Sequence, residues 1–148
     1  MATEQTSNRE SELNLLQRLV GIRILLVEDE PDIAELLIFI LETAGAEVIA
    51  FIDAEAALTL VESLHPDVLL SNVKLPHHDG NWLIKQIRVH SSSFLRQLPA
   101  IAITSYTREV SSCKALNAGF DRFLAKLESP EEIVSEIVHL LSGAIVVE

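Results

Sequence analysis

Five polar residues in this 148-residue chain stand where chemistry could be done: the adjacent acids Glu28 and Asp29, then Asn72, Thr104 and Lys126. Each follows a short apolar run. Two neighbouring carboxylates, a small polar side chain, a hydroxyl and an ammonium, brought into one cleft, make a site for a hard divalent cation and a phosphoryl group. Any one of them alone carries little weight. Their shared position carries more, because ligands of an open parallel sheet sit beyond the carboxyl ends of its strands, where the winding direction reverses. Carboxylates near a helix start also suit the helix dipole without any ligand. That explanation is insufficient here, since Glu28 and Asp29 precede the helix and belong to the wider set.

The elements that must position these residues alternate in type. Short apolar runs at Ile22–Val27, Glu47–Phe51, Asp67–Ser71, Ala100–Thr104 and Asp121–Ala125 predict five strands, most of them buried on both sides. Helical spacing fills the gaps, which predicts an α/β fold, a parallel sheet covered by helices on both faces. The first helix carries Ile33, Leu36, Leu37, Ile40, Leu41 and Ala44 and stops at Gly45, a natural left-handed end. The second follows Asp53 as N-cap and ends near Leu64, before His65-Pro66. A third begins near Gly80 with Trp82, Leu83, Ile84 and Ile87, a fourth runs from about Arg108 to Gly119, and Ser129-Pro130-Glu131-Glu132 opens the fifth with a capping serine and an N1 proline.

The division is a 1–20 extension, a 21–143 domain and a 144–148 tail. Within Glu10–Val20, leucines at 13, 16 and 19 predict a short helix, too short to stand alone and therefore lying against something. His77-His78-Asp79 invites a metal reading, yet adjacent loop residues seldom aim two rings at one ion, so solvated histidines are expected. The single cysteine, Cys113, is read as a semi-buried helix filler without chemistry. A formal charge of −11 argues against nucleic acid and acidic membranes as partners. No apolar run is long enough to span a bilayer, and the polar start does not look like a secretory signal, so a cytoplasmic protein is expected.

Three stretches resemble the receiver domains of response regulators in two-component signalling, the CheY-like family: Ile24-Leu25-Leu26-Val27-Glu28-Asp29-Glu30, Pro66-Asp67-Val68-Leu69-Leu70-Ser71-Asn72-Val73-Lys74-Leu75-Pro76 with Asp79-Gly80, and the isolated Thr104 and Lys126. The resemblance covers about residues 22–141. It implies a flavodoxin-like (βα)5 sheet in the order 2-1-3-4-5. It also implies Mg²⁺ held by Glu28, Asp29 and the backbone carbonyl of Lys74, an aspartate phosphorylated by a sensor kinase, Thr104 and Lys126 as phosphate-contact and switch positions, and Phe123 as an aromatic switch. The Lys74 side chain itself is expected to face solvent.

Two departures matter. The position of the family's acceptor aspartate, six residues after Pro66 and four before Pro76, holds Asn72. An amide oxygen is a far weaker nucleophile toward phosphorus than a carboxylate, so no phosphorylation is expected there, and losing one carboxylate weakens Mg²⁺ binding. After Lys126 stands Leu127 where the family usually has proline; a cis bond before a non-proline residue costs roughly 2.5–4 kcal/mol, so Lys126–Leu127 is expected to be trans.

The function expected from this resemblance is a phosphorelay receiver module, not an enzyme, acting by protein–protein contact. Its partners would be a sensor histidine kinase or phosphotransfer protein, a downstream effector, or both, with a homodimer through the fourth and fifth helices as a further expectation. Two versions stand side by side: Asn72 as a native residue of a phosphate-independent pseudo-receiver, or Asn72 in place of a normal acceptor aspartate. The rival from another class is an enzyme on the same architecture. A flavodoxin is disfavoured because Glu28-Asp29-Glu30-Pro31 would repel the flavin phosphate, and a haloacid-type phosphatase because its Asp-x-Asp spacing is absent.

Overall fold

The computed structural model describes residues 17–104, 111–124 and 130–143. The strands are β1 (Arg23–Val27), β2 (Glu47–Phe51), β3 (Val68–Asn72), β4 (Ala100–Ile103) and β5 (Arg122–Leu124). All pair in parallel, in the order β2-β1-β3-β4-β5. The helices are α1 (Pro31–Thr43), α2 (Ala54–Leu64), α3 (Gly80–Arg88), α4 (Ser112–Ala118) and α5 (Pro130–Gly143), with one extra helical turn at Ser93–Arg96. This is the α/β fold that the alternation of strand and helix patterns predicts, in the flavodoxin-like strand order that the family resemblance implies.

Side chains alternate between the two faces of the sheet, which is why the strands read as continuous apolar runs. Ile24 and Leu26 of β1 pack with Val68 and Leu70 of β3 under Leu37, Ile40 and Leu41 of α1 and Ile133, Val134 and Ile137 of α5. Leu25, Val27, Leu69, Ala100 and Ala102 point the other way, under Ala57 and Val61 of α2, Leu83, Ile84 and Ile87 of α3, and Ala115 of α4. Burial on both faces holds for β1, β3 and β4 but not for β2 and β5, whose partly exposed residues mark them as the sheet's edges.

Local signals set the ends. Asp53 caps α2 by accepting from the Ala56 N–H at 2.8 Å, and Gly45 takes φ +101° just past α1. The α2 terminus departs from the usual glycine: His65 itself adopts the left-handed conformation, φ 51°, and stacks its ring on Phe94 at 3.9 Å. The fourth helix begins at Ser112, capped by the Ser111 hydroxyl accepting from the Lys114 N–H at 3.1 Å; the earlier start expected at Arg108 lies outside the described residues, as do Ser129 and the tail from 144 on.

Of the N-terminal extension, residues 17–21 form a turn rather than a helix, and 1–16 lie outside the described residues. Leu19 is fully buried in the α1–α5 layer, and its N–H donates to the Ala44 carbonyl at 2.8 Å. The described part of the extension is thus anchored by Leu19 at the end of α1 and by Arg18, whose guanidinium donates to the Ser135 hydroxyl of α5 at 3.2 Å. Cys113 is exposed on α4, not semi-buried as its apolar character suggested, because the packed side of that helix is carried by Ala115.

Candidate functional site

The parallel ladders run one residue past the strands and bring their polar ends together. The Glu28 N–H donates to the Phe51 carbonyl at 3.0 Å, the Val73 N–H to Ile103 at 3.1 Å and the Thr104 N–H to Leu124 at 3.1 Å. Val27 lies opposite Ser71, and Asn72 opposite Ile103, so Glu28, Asn72 and Thr104 stand side by side at the carboxyl end of the sheet. With Ser71 they are the buried polar residues among the described ones, Glu28 at 4% exposure, Asn72 at 7% and Thr104 at 4%. Asp29 follows, half-buried.

A direct contact links positions 28 and 72. The Asn72 Nδ2 donates to Glu28 Oε2 at 3.2 Å, and the same oxygen accepts from the Glu30 N–H at 3.1 Å. Burial pushes the Glu28 carboxyl up to about 7. The Glu30 N–H works against that shift, the Asp29 charge adds to it, the Asn72 amide opposes it, and the Glu30 charge adds again. The other end of the amide, Asn72 Oδ1, is buried with no hydrogen-bond partner among the described residues.

A glycine holds the floor of the site. The Gly80 N–H donates to the Val73 carbonyl at 2.7 Å, closing the loop after β3 back on itself. A side chain at Gly80 would collide with the carbonyl oxygen of Asn72 and sit 3.0 Å from the Val73 Cα. Its neighbour Asp79 caps α3, accepting from the Trp82 N–H at 2.8 Å. Lys74, in the same loop, is exposed, as its sequence context predicts.

The remaining sequence candidates divide. Phe123 lies on β5 opposite Ala102, half-buried against the α2–α3–α4 layer. Lys126 and Leu127 lie outside the described residues, and so does the peptide bond expected to be trans. The histidine loop is not simply solvated: His78 stacks on Trp82 at 3.9 Å and reaches Glu55 of α2 at 3.3 Å, while His77 stays exposed. The aromatic partner four residues on makes the stack, a feature that weighing the histidines only as metal ligands passes over. No group of three or more His, Cys, Asp or Glu capable of holding a metal occurs among the described residues.

Sequence reasoning also missed Arg88. From the end of α3 its guanidinium donates to the carbonyls of Gly119 (2.9 Å), Leu98 (2.7 Å) and Arg96 (3.1 Å) and to Asp121 Oδ2 (3.2 Å), which also accepts from the Ala100 N–H. Burial lowers its pKa against the pull of Asp121. No spacing rule could have found it, because most of its partners are backbone carbonyls.

The chain matches the family described as "Response regulator receiver domain" over residues 24–138. It belongs to that family. It is 40% identical over 119 residues to an uncharacterised 14.6 kDa protein of Leptolyngbya boryana, covering 80% of this chain and 89% of that one. It is 32% identical to the phosphate regulon transcriptional regulatory protein PhoB of Escherichia coli, covering 78% of this chain but 49% of PhoB, so the receiver domain spans about half of that relative. Among solved structures, the receiver domain of a Pseudomonas aeruginosa sensor histidine kinase, with a magnesium ion coordinated in its active site cleft, aligns with a TM-score of 0.74 at 29% identity, covering 84% of this chain and 99% of that one. A CheY-like receiver domain protein of Methanospirillum hungatei aligns with a TM-score of 0.73 at 28% identity, covering 84% of this chain and 95% of that one.

Receiver domains commonly bind Mg²⁺. In this receiver domain the described donors, as arranged, do not fit a hard dication. The Glu28 oxygen that faces Asn72 already accepts two N–H groups, and position 72 offers that acid the positive end of an amide instead of a third carboxylate. What the orphaned Asn72 Oδ1 requires is a hydrogen-bond donor.

Proposed function

We propose that this receiver domain signals through protein–protein contact without accepting a phosphoryl group at position 72. The observation that carries the reading is the Asn72 amide, buried at 7% exposure at the end of β3 with its nitrogen committed to Glu28. Acyl phosphate formation needs a carboxylate oxygen to attack phosphorus while the leaving group departs in line; the amide lone pair is delocalised and its nitrogen is turned toward the acid. Glu28, Asp29 and the Lys74 carbonyl stand at the family's metal positions, but with Glu28 bonded to the Asn72 amide in place of a third carboxylate they do not form a Mg²⁺ site. Thr104, Lys126 and Phe123 keep switch positions that a phosphate at 72 would no longer set.

In this reading the domain works inside the cytoplasm and is not an enzyme. Its partners are a sensor histidine kinase or phosphotransfer protein, a downstream effector, or both, engaged through α4 and α5, which also offer the surface for a homodimer. The second version, a phosphorylatable regulator whose acceptor aspartate is replaced by Asn72, is favoured by one observation: Glu28 and Thr104 remain buried beside position 72, where an acceptor would need them.

Intact-mass analysis after incubation with acetyl phosphate and Mg²⁺ separates the versions. This chain is expected to gain no phosphoryl mass. Gain by Asn72→Asp alone supports the replaced-acceptor version, while failure of both supports a phosphate-independent module. A stoichiometric phosphoryl adduct on the chain itself at position 72 would overturn both.

A further inference from the structure

Deepening the reading that position 72 takes no phosphoryl group, we infer that the Asn72 amide is a built-in replacement for the divalent cation: it holds Glu28 in place and makes the cleft independent of metal. A buried carboxylate in this position needs positive charge or hydrogen-bond donors around it, because desolvation without them is costly. The described structure supplies two donors to one oxygen, the Glu30 N–H at 3.1 Å and Asn72 Nδ2 at 3.2 Å, from an asparagine only 7% exposed. The orientation of the amide follows from its surroundings. With the Glu28 oxygen already accepting from a backbone N–H, turning Oδ1 toward it would set two acceptors against each other.

The amide cannot drift from this position. Asn72 ends a fully buried strand, its carbonyl accepts from the Ser71 hydroxyl at 2.9 Å, and the chain at Gly80 passes so close to that carbonyl that a side chain there would collide with it. An aspartate at 72 would keep this frame and reverse the electrostatics, placing a carboxylate 3.2 Å from Glu28 with Asp29 adjoining. Such a cleft needs a cation to bring its acids together. Asn72 removes one negative charge and donates a hydrogen bond in its place, and so acts as a positioning residue for Glu28.

Thermal unfolding of the full chain and of Asn72→Asp, in buffer treated with a chelator and then with millimolar MgCl₂, tests the idea without any phosphoryl donor. Its outcome is thus separable from that of the phosphorylation reading. The chain itself is expected to melt at the same temperature with and without MgCl₂. Asn72→Asp is expected to melt lower by about 4 °C or more without metal and to recover with it. Stabilisation of the unaltered chain by MgCl₂, or a metal-free Asn72→Asp that melts no lower or is not rescued, would overturn the proposal. If Asn72→Asp does not fold, the Asn72 side-chain NH₂ signals in ¹H–¹⁵N spectra of the unaltered chain decide. Slow solvent exchange, unmoved by MgCl₂, is the result expected; fast exchange or a shift on adding MgCl₂ would contradict it.

Discussion

Glu28 enters a pocket where ionisation is disfavoured, its pKa raised from 4.5 to about 7, and the sign of the resulting pH dependence follows directly. Between those values the native state holds a proton that the unfolded chain releases, so this residue's contribution to stability falls as pH rises from 4.5 to 7. Above that window the buried charge costs up to about 3 kcal/mol. Glu28→Gln should therefore melt higher than the parent chain at pH 8 in metal-free buffer, with the advantage fading toward pH 4.5; an advantage independent of pH would contradict the assignment. Gly80→Ala forces a methyl group against the Asn72 carbonyl and should cost about 1–3 kcal/mol in denaturant unfolding. The position of Asn72 was legible from its spacing to two prolines. Its bond to Glu28 and its orphaned Oδ1 were not, because they depend on side-chain orientation at the junction of two strands distant in sequence.

Arg88 decides how the α3–α4 side of the sheet closes at its far end. Four groups from two segments, 96–98 and 119–121, converge on its guanidinium, and Arg88→Ala would take a donor from each of them. A loss on the order of 3 kcal/mol is predicted in urea unfolding; Arg88→Lys, unable to reach several acceptors at once, should recover only part of it. At this scale the sequence was readable wherever a short-range rule applied. Asp53 caps α2, Gly45 turns out of α1, and α3 begins at Gly80. It was less readable wherever tertiary neighbours decided: the single turn at Ser93–Arg96, the His65–Phe94 stack, the exposure of Cys113, and the open edges of β2 and β5. A strand's apolar run records burial, but which strands end up at the edge is a property of the sheet order.

For the whole molecule, five alternating units were enough to predict a parallel doubly wound sheet, and the motifs at the carboxyl ends of its strands identified the family that residues 24–138 match. Architecture and site position are legible together because the fold itself requires ligands at the strand ends. The departure that falls on the phospho-acceptor position is a single side chain, Asn72. With an amide at position 72 bonded to Glu28, no phosphoryl signal should travel from the cleft through β4 and β5 to α4. The most direct test is amide hydrogen exchange across the chain with and without acetyl phosphate and Mg²⁺, followed at Ala100–Ile103, Ser112–Ala118 and Arg122–Leu124. Unchanged exchange in all three segments is the result predicted; donor-dependent protection in α4 or β5 of the unaltered chain would contradict a receiver that signals without phosphate.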